Sequence, residues 1–181
     1  MHLKLKQWSC FLVLLLLIGC SSSSTVKTDA LNMLTNYKKA QYELSFNQIA
    51  NGNYDKLSSE SEKAKANLKA IQGINEKVKP FLTGKEYELF LKNRVAQLTF
   101  DVVTNHKYDI KVEKLEISEI NLENNSQSVV GHYSMVLKLI ANNDKSEKLI
   151  TKNGQLTLIK EDDNWKIERD WDGDLTEKDL K

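Results

Sequence analysis

Cysteine, proline and arginine are the residue types that this sequence has least of. Among 181 residues there are two cysteines, one proline and two arginines. Cys10 lies inside the apolar N-terminal segment and Cys20 directly follows it, so residues 21–181 contain no thiol. Disulfides, thiolate metal sites and cysteine nucleophiles are therefore excluded from that part, which has to fold on its hydrophobic core alone. The single proline, Pro80, and the lack of a long linker indicate one domain.

A strong excess of charge of one sign is also lacking. The whole chain has 26 basic and 25 acidic residues. Cleavage before Cys20 would remove Lys4 and Lys6 and leave 24 basic against 25 acidic residues. A domain this close to neutral gives no electrostatic reason to expect nucleic acid as a partner. Its wealth of Lys, Asn and Ile beside so little arginine favours an AT-rich genome, as in low-GC Gram-positive bacteria.

The N-terminus has the parts of a secretory signal peptide. Lys4 and Lys6 provide the basic start, Phe11–Ile18 is a short apolar run, and Gly19 is a small residue before a cleavage site. The apolar run is too short for a membrane-spanning helix, which needs about 20 apolar residues. An export signal is therefore predicted.

The end of this segment, Leu17–Cys20 or "LIGC", resembles the lipobox of bacterial lipoproteins. The resemblance implies cleavage before Cys20 and a diacylglyceryl thioether on its sulfur. Membrane lipid is then a partner through Cys20, and the chain lies on the extracytoplasmic face of the cell membrane. The alternative is an ordinary signal peptide or membrane anchor that happens to contain a cysteine.

Four parts of the chain follow from these signals. We predict a signal peptide at 1–19, a lipidated cysteine with a Ser-rich tether at 20–27, a single α+β domain at 28–175, and a polar C-terminal tail at 176–181. Seven residues of tether reach at most about 25 Å when extended, so the domain is expected close to the membrane.

Three helical runs are predicted first in the domain. The first begins at an N-cap at Thr28 or Asp29, and its apolar residues recur in steps of three and four as far as Leu44. The sequence "NGNYD" at 51–55 ends it. The second run extends from Leu57 to Val78, and the third from near Thr83 to Val102.

After residue 108 the apolar period changes from about 3.6 to 2. This predicts strands at 109–123, 128–141 and 147–161 and a last strand "WKIERDW". Two phase slips in the first strand predict bulges, and Asn153-Gly154 predicts either a bulge or a second tight turn. Helices followed by an antiparallel meander predict an α+β fold, with the helices on one face of a curved sheet.

Two stretches resemble the nuclear transport factor 2-like (cystatin-like) superfamily: "GNYDKL" at 52–57 and "KEDDNWKIERDW" at 160–171. The closest form is the small N-terminal domain of Gram-positive penicillin-binding proteins. The resemblance extends over about residues 28–171 and implies a cone-like half-barrel with a pocket between the helices and the concave sheet. It implies a non-enzymatic module without a cofactor, and the following pocket lining: Tyr87, Phe90, Arg94, Tyr133 and Met135.

Alternating aspartates near the C-terminus suggest calcium, because this ion prefers several oxygen ligands at short range. They are Asp170, Asp172 and Asp174. An EF-hand loop needs a glutamate at its twelfth position, where counting from Asp170 gives Lys181. We therefore interpret the aspartates as a solvated strand exit and predict no metal site.

The last strand carries an alternating aromatic pattern. Trp165, Ile167, Arg169 and Trp171 are predicted to share one strand face. Arg169 would lie between the two indole rings, since guanidinium groups stack on aromatic rings. We interpret this set as a structural cluster.

No residue pattern selects a reaction. His106 and His132 have no partners at ligand or catalytic spacing, and no catalytic residue is predicted. The first hypothesis is a binding module for an envelope protein or a small ligand. The second is an isomerase or dehydratase of the same superfamily, which requires His132 or Asp101 to point inwards. The third is an immunity or inhibitor lipoprotein with a flat apolar patch.

Overall fold

A computed structural model describes residues 22–123, 127–172 and 175–180. The predicted signal peptide and Cys20 lie outside these described residues. No helix within the described ranges combines the length and the apolar character needed to cross a membrane.

Four α-helices form the first half of the domain, and local capping sets where two of them begin. Ser59 Oγ accepts a hydrogen bond from the Glu62 N–H, and the Glu62 carboxylate accepts one from the Ser59 N–H, which is a capping box. Thr83 caps the third helix through the Glu86 N–H. The helices are α1 (Ser22–Tyr42), α2 (Glu60–Val78), α3 (Gly84–Lys92) and α4 (Val95–His106).

Two helix boundaries differ from the prediction. Helix α1 begins at Ser22, so residues 22–27 of the predicted tether are helical. The predicted third helix is two helices, because Arg94 adopts a left-handed conformation with φ 55° and interrupts the chain between α3 and α4. The prediction of one helix was wrong because α3 and α4 both turn apolar residues inwards, so the periodicity continues across the break.

The second half is an open, four-stranded antiparallel sheet in the order β1-β2-β3-β4. The predicted bulges in β1 are confirmed, since its pairing with β2 shifts register between Val112 and Lys114 and between Ile117 and Glu119. The four helices pack against this sheet, which confirms the predicted α+β class. The strands are β1 (Tyr108–Glu123), β2 (Ser128–Ala141), β3 (Glu147–Glu161) and β4 (Asn164–Asp172).

Helix α1 lies antiparallel to β1 along the sheet. At one end of the pair, Ser45 forms a β-bridge with Asp109 just after α1 ends. At the other end, Lys27 lies beside Ile120 and Leu122. The N-terminus of α1 is therefore at the same end of the domain as the C-terminal end of β1.

The predicted polar tail contributes to the core. Leu175 is buried and Leu180 packs against the core. A short 3₁₀ helix at Glu177–Leu180 is held by an ion pair between Lys152 Nζ and Asp179 Oδ1 at 3.0 Å. Tertiary packing thus orders a segment whose composition is largely polar.

Gly154 forms neither a bulge nor a turn, so both predicted alternatives were wrong. It pairs with Tyr133 in an uninterrupted β2–β3 register. A Cβ atom on Gly154 would lie 2.3 Å from Tyr133 Cζ. The missing side chain therefore leaves the space that the Tyr133 ring occupies.

Gly154→Ala should destabilise the protein, because the added methyl group collides with a ring that is itself buried. We expect the free energy of unfolding to fall by about 1–3 kcal/mol, the usual cost of overpacking. Gly73→Ala is the matched control. No atom lies within 4 Å of its added Cβ, and it should stabilise α2 by about 0.5–1 kcal/mol. Denaturant unfolding of both variants tests this, and equal effects would contradict it.

Candidate functional site

A bulge in β4 determines which of its side chains point towards the core. Arg169 pairs with Thr157 and Ile167 pairs with Leu158, which leaves Glu168 as the extra residue. Ile167 is fully buried and the Asp170 side chain is only 4% exposed, whereas Trp171 is 58% exposed. The bulge therefore places Ile167 and Asp170 towards the core and Arg169 and Trp171 outside.

The prediction that one strand face carries Trp165, Ile167, Arg169 and Trp171 was therefore wrong. The Arg169 guanidinium stacks on Trp171 with 4.0 Å between its carbon and the ring centroid. The cation over Trp165 is the Lys160 ammonium, at 5.3 Å. The interpretation of Asp170 as solvated was also wrong, for the same reason: an extra residue inverts the alternation of every residue that follows it.

Asp170 belongs to a buried polar group that we call the Lys38 cluster: Lys38, Gln41, Tyr133 and Asp170. Lys38 Nζ lies 2.6 Å from Asp170 Oδ2 and donates to Gln41 Oε1 at 3.3 Å. The Tyr133 hydroxyl donates to Asp170 Oδ1 at 2.8 Å. Both carboxylate oxygens are thus engaged, and no buried side-chain N or O atom among the described residues lacks a partner.

Aromatic rings surround the Lys38 ammonium. It lies 5.1 Å from the ring centroids of Tyr37 and Tyr133 and 5.6 Å from that of Tyr42. Rings at this distance attract a cation through their negative faces. The Lys38 side chain is completely buried, so these rings replace part of the water that a lysine normally keeps.

Sequence periodicity contains a signal for Lys38 that the prediction did not use. Lys38 lies four residues after Leu34 and four before Tyr42, and all three are buried on one face of α1. A lysine at a core position of an amphipathic helix needs an anionic partner. The identity of that partner depends on the β4 bulge and is not visible in the sequence.

A cleft of about 440 Å³ lies beside the Lys38 cluster and opens to solvent. We call it the β4 cleft. It is formed between α1, α3, the α3–α4 turn and the end of β4. A neighbouring depression of about 370 Å³ continues it along β4 and also contains Glu86 and Trp171. The cleft is lined by Tyr37, Gln41, Glu86, Leu89, Phe90, Asn93, Val95, Asp170 and Trp171.

Glu86 is the acidic side chain at the centre of the β4 cleft. Its Oε1 accepts a hydrogen bond from the Asp170 backbone N–H at 3.3 Å. Burial raises the pKa of Glu86, the negative charges of Asp170 and Glu168 act in the same direction, and the Asp170 N–H and Arg169 oppose them. Within the described residues Glu86 forms no ion pair, so its charge is not neutralised as that of Asp170 is.

The five residues of the predicted pocket lie in different places. Phe90 borders the β4 cleft. Tyr133 and Met135 are buried in the core between helices and sheet. Tyr87 is half-buried with the Lys79 ammonium 5.6 Å from its ring centroid, and Arg94 is exposed at the α3–α4 turn.

The other residues considered as catalytic or metal-binding candidates do not come together in one site either. His132 is exposed on β2 and Asp101 accepts a hydrogen bond from Gln97 at 2.6 Å. His106 stacks on Tyr108 at the end of α4. In the part of the chain that the structure describes, no three potential metal ligands come together. Asp174 lies outside the described residues.

Comparison with known proteins gives partial likenesses of fold. No protein-family model matches the chain, and no curated protein matches it in sequence. The periplasmic domain of DotI matches with TM-score 0.49 and 12% identity, covering 85% of this chain and 96% of that one. A periplasmic fragment of TraM matches with TM-score 0.47 and 7% identity, covering 82% and 97%. The intermembrane space region of the chloroplast protein ARC6 matches with TM-score 0.38 and 11% identity, covering 66% and 100%. The resemblance to the nuclear transport factor 2-like superfamily stays a prediction.

Lys38→Met should cost about 3–5 kcal/mol of unfolding free energy, because it leaves the Asp170 carboxylate buried without its cation. Asp170→Asn should cost a similar amount by leaving the ammonium unpaired. The double variant removes both charges together, so it should be clearly more stable than the sum of the two losses predicts. Denaturant unfolding of the four proteins gives this coupling, and additive losses would show that the pair is not a unit.

Glu86→Gln should stabilise the protein at pH 7. The pKa of Glu86 is raised on folding, so its contribution to stability is fully present below its ordinary value of 4.5 and is lost as pH rises through the raised pKa. Glutamine mimics the neutral form. The gain should stay below about 1 kcal/mol, since solvent screens a half-exposed carboxyl group.

Thermal unfolding between pH 3 and pH 8 measures this effect. The stability difference between Glu86→Gln and the unchanged protein should vanish at the acidic end. Glu88→Gln, at an exposed position of the same helix, is the control. A pH-independent difference would mean that ionisation of Glu86 is not its source.

Proposed function

We propose that this protein is a lipid-anchored module on the extracytoplasmic face of the membrane that binds another envelope protein through the β4 cleft. The observation that carries the proposal is the combination of an exposed apolar rim with a half-buried carboxylate that forms no ion pair within the described residues. Such a surface favours recognition of a partner over a purely structural role.

The rim of the cleft contains side chains that contribute strongly to protein interfaces. Trp171 is 58% exposed and Leu89 is 39% exposed. Arg169 stacks on the Trp171 ring and reduces the freedom of both side chains. Tryptophan and arginine are enriched among the residues that dominate binding free energy.

The shape of the cleft favours a protein segment over a small molecule. Sites for small ligands enclose most of the ligand surface. The β4 cleft is open to solvent and continues into the neighbouring depression through Glu86, Leu89 and Trp171. An extended or helical segment of a partner can lie along such a surface.

The position of the cleft on α1 suits a module attached at Cys20. Helix α1 starts at Ser22, and Tyr37 and Gln41 border the cleft from its second half. At 1.5 Å per residue these positions are about 22–28 Å along the helix from Ser22. A lipid on Cys20 would thus hold the cleft above the membrane surface and within reach of neighbouring envelope proteins.

Site-specific photocrosslinking in intact cells tests the proposed function. A photoreactive amino acid at Leu89 should capture one reproducible envelope protein. The same residue at Leu149, which is 63% exposed on β3, should not capture it. Both positions replace an exposed leucine, so the control matches the chemistry and differs only in location.

The photoreactive amino acid at Leu89 also tests the proposed lipid anchor at Cys20. Cys20→Ala should move the protein out of the membrane fraction and reduce the capture from Leu89, since the lipid no longer holds the two proteins on one surface. Capture from Leu149 alone would assign binding to another surface. Absence of capture from both positions would argue against the module.

A further inference from the structure

The basic residues around the β4 cleft have partners other than Glu86. The Lys38 ammonium is held by Asp170 at 2.6 Å. Lys85 Nζ lies 3.2 Å from Glu168 Oε1. The Arg169 guanidinium is stacked on Trp171. Arg169 opposes the rise in the pKa of Glu86 but forms no ion pair with it among the described residues, so the carboxylate can still pair with a cation of a ligand.

The Glu86 carboxylate has capacity for further hydrogen bonds. An ionised carboxylate has two oxygens with about four lone-pair positions. The contact from the Asp170 N–H uses one oxygen, Oε1. The group lines both the cleft and the neighbouring depression, so it is accessible from solvent.

The walls next to Glu86 suit an aliphatic stem. Leu89, Phe90 and Trp171 line the same cleft as the Glu86 carboxylate and supply apolar surface there. Lysine and arginine combine a long apolar stem with a cationic end group, and the stem packs on apolar surface while the end group pairs with an anion. The negative charge of the cleft and its apolar walls therefore both favour a lysine or arginine side chain.

We infer that Glu86 is the specificity-determining residue of the β4 cleft and that it receives a lysine or arginine side chain of the partner protein. This inference rests on the proposed function and adds the chemistry of the recognised residue. The partner's cation would pair with the Glu86 carboxylate, and its stem would lie between Leu89 and Trp171.

A pair of peptides tests the inference on the full-length chain in detergent micelles. The probe is acetyl-Ala-Lys-Ala-amide, and the control peptide has norleucine, which keeps the apolar stem and lacks the charge. In NMR titrations the lysine peptide should shift the signals of Leu89 and the Trp171 indole. The norleucine peptide should bind about tenfold more weakly, the ratio expected for loss of one charge-assisted hydrogen bond.

Variants assign the discrimination to Glu86. Glu86→Gln should bind both peptides equally, and Glu88→Gln should behave as the unchanged protein does. Lowering the pH should weaken binding of the lysine peptide as Glu86 becomes protonated, and this dependence should disappear in Glu86→Gln. The charged groups around Glu86 are Lys85 on α3 and Glu168, Arg169 and Asp170 on β4, and Asp170 is itself paired with Lys38 of α1. Persistence of the pH dependence in Glu86→Gln would assign it to one of these and overturn the inference.

Several outcomes overturn the inference. Equal binding of the two peptides to the unchanged protein excludes recognition of the charge. No shift with either peptide, or shifts outside the cleft, excludes the site. If Mg²⁺ alone at the same concentration produces the lysine shifts, the cleft is a cation site without a preference for a side chain.

The photocrosslinker at Leu89 separates this inference from the proposed function. If Glu86→Gln captures the same envelope protein as efficiently as the unchanged protein does, the binding module stands and recognition of a cationic residue is wrong. If capture is lost in Glu86→Gln and kept in Glu88→Gln, both stand.

Discussion

The ion pair between Lys38 and Asp170 is the interaction on which the rest of this structure depends. Burying two charges is costly, and the pair is tolerated only where every remaining hydrogen-bonding position is satisfied. Here that condition joins three elements, since Lys38 and Gln41 come from α1, Tyr133 from β2 and Asp170 from β4. Helix α1 and the far edge of the sheet therefore have to assemble together.

Two features of the sheet allow the buried ion pair to have all of its hydrogen-bonding positions satisfied. Gly154 leaves room for the Tyr133 ring, which positions its hydroxyl on Asp170. The bulge at Glu168 turns Asp170 inwards and places Trp171 outside. The same local irregularity thus completes the core and creates the rim of the β4 cleft, so stability and the proposed binding surface share one structural cause.

The carboxylates of Asp170 and Glu86 have different surroundings, although Glu86 is hydrogen-bonded to the Asp170 backbone. The Asp170 side chain is neutralised by Lys38, whereas Glu86 accepts a hydrogen bond from the Asp170 N–H and forms no ion pair within the described residues. A carboxylate whose pKa is raised by burial lowers the stability of the free protein at neutral pH. The proposed binding role would account for a group that costs stability at an accessible position.

The sequence by itself determined the α+β class, the order of helices before an antiparallel meander, the strand limits within a few residues and the two bulges of β1. Each of these follows from the spacing of apolar residues within a single segment of the chain. Tertiary structure alone decided the break at Arg94, the role of Gly154, the inward side chain of Asp170 and the location of the cleft. These depend on contacts between residues far apart in the chain: Lys38 and Asp170 are separated by 132 positions. A bulge of one residue in β4 inverts the alternation on which strand predictions depend, so the partner of Lys38 could be identified only once the sheet was assembled.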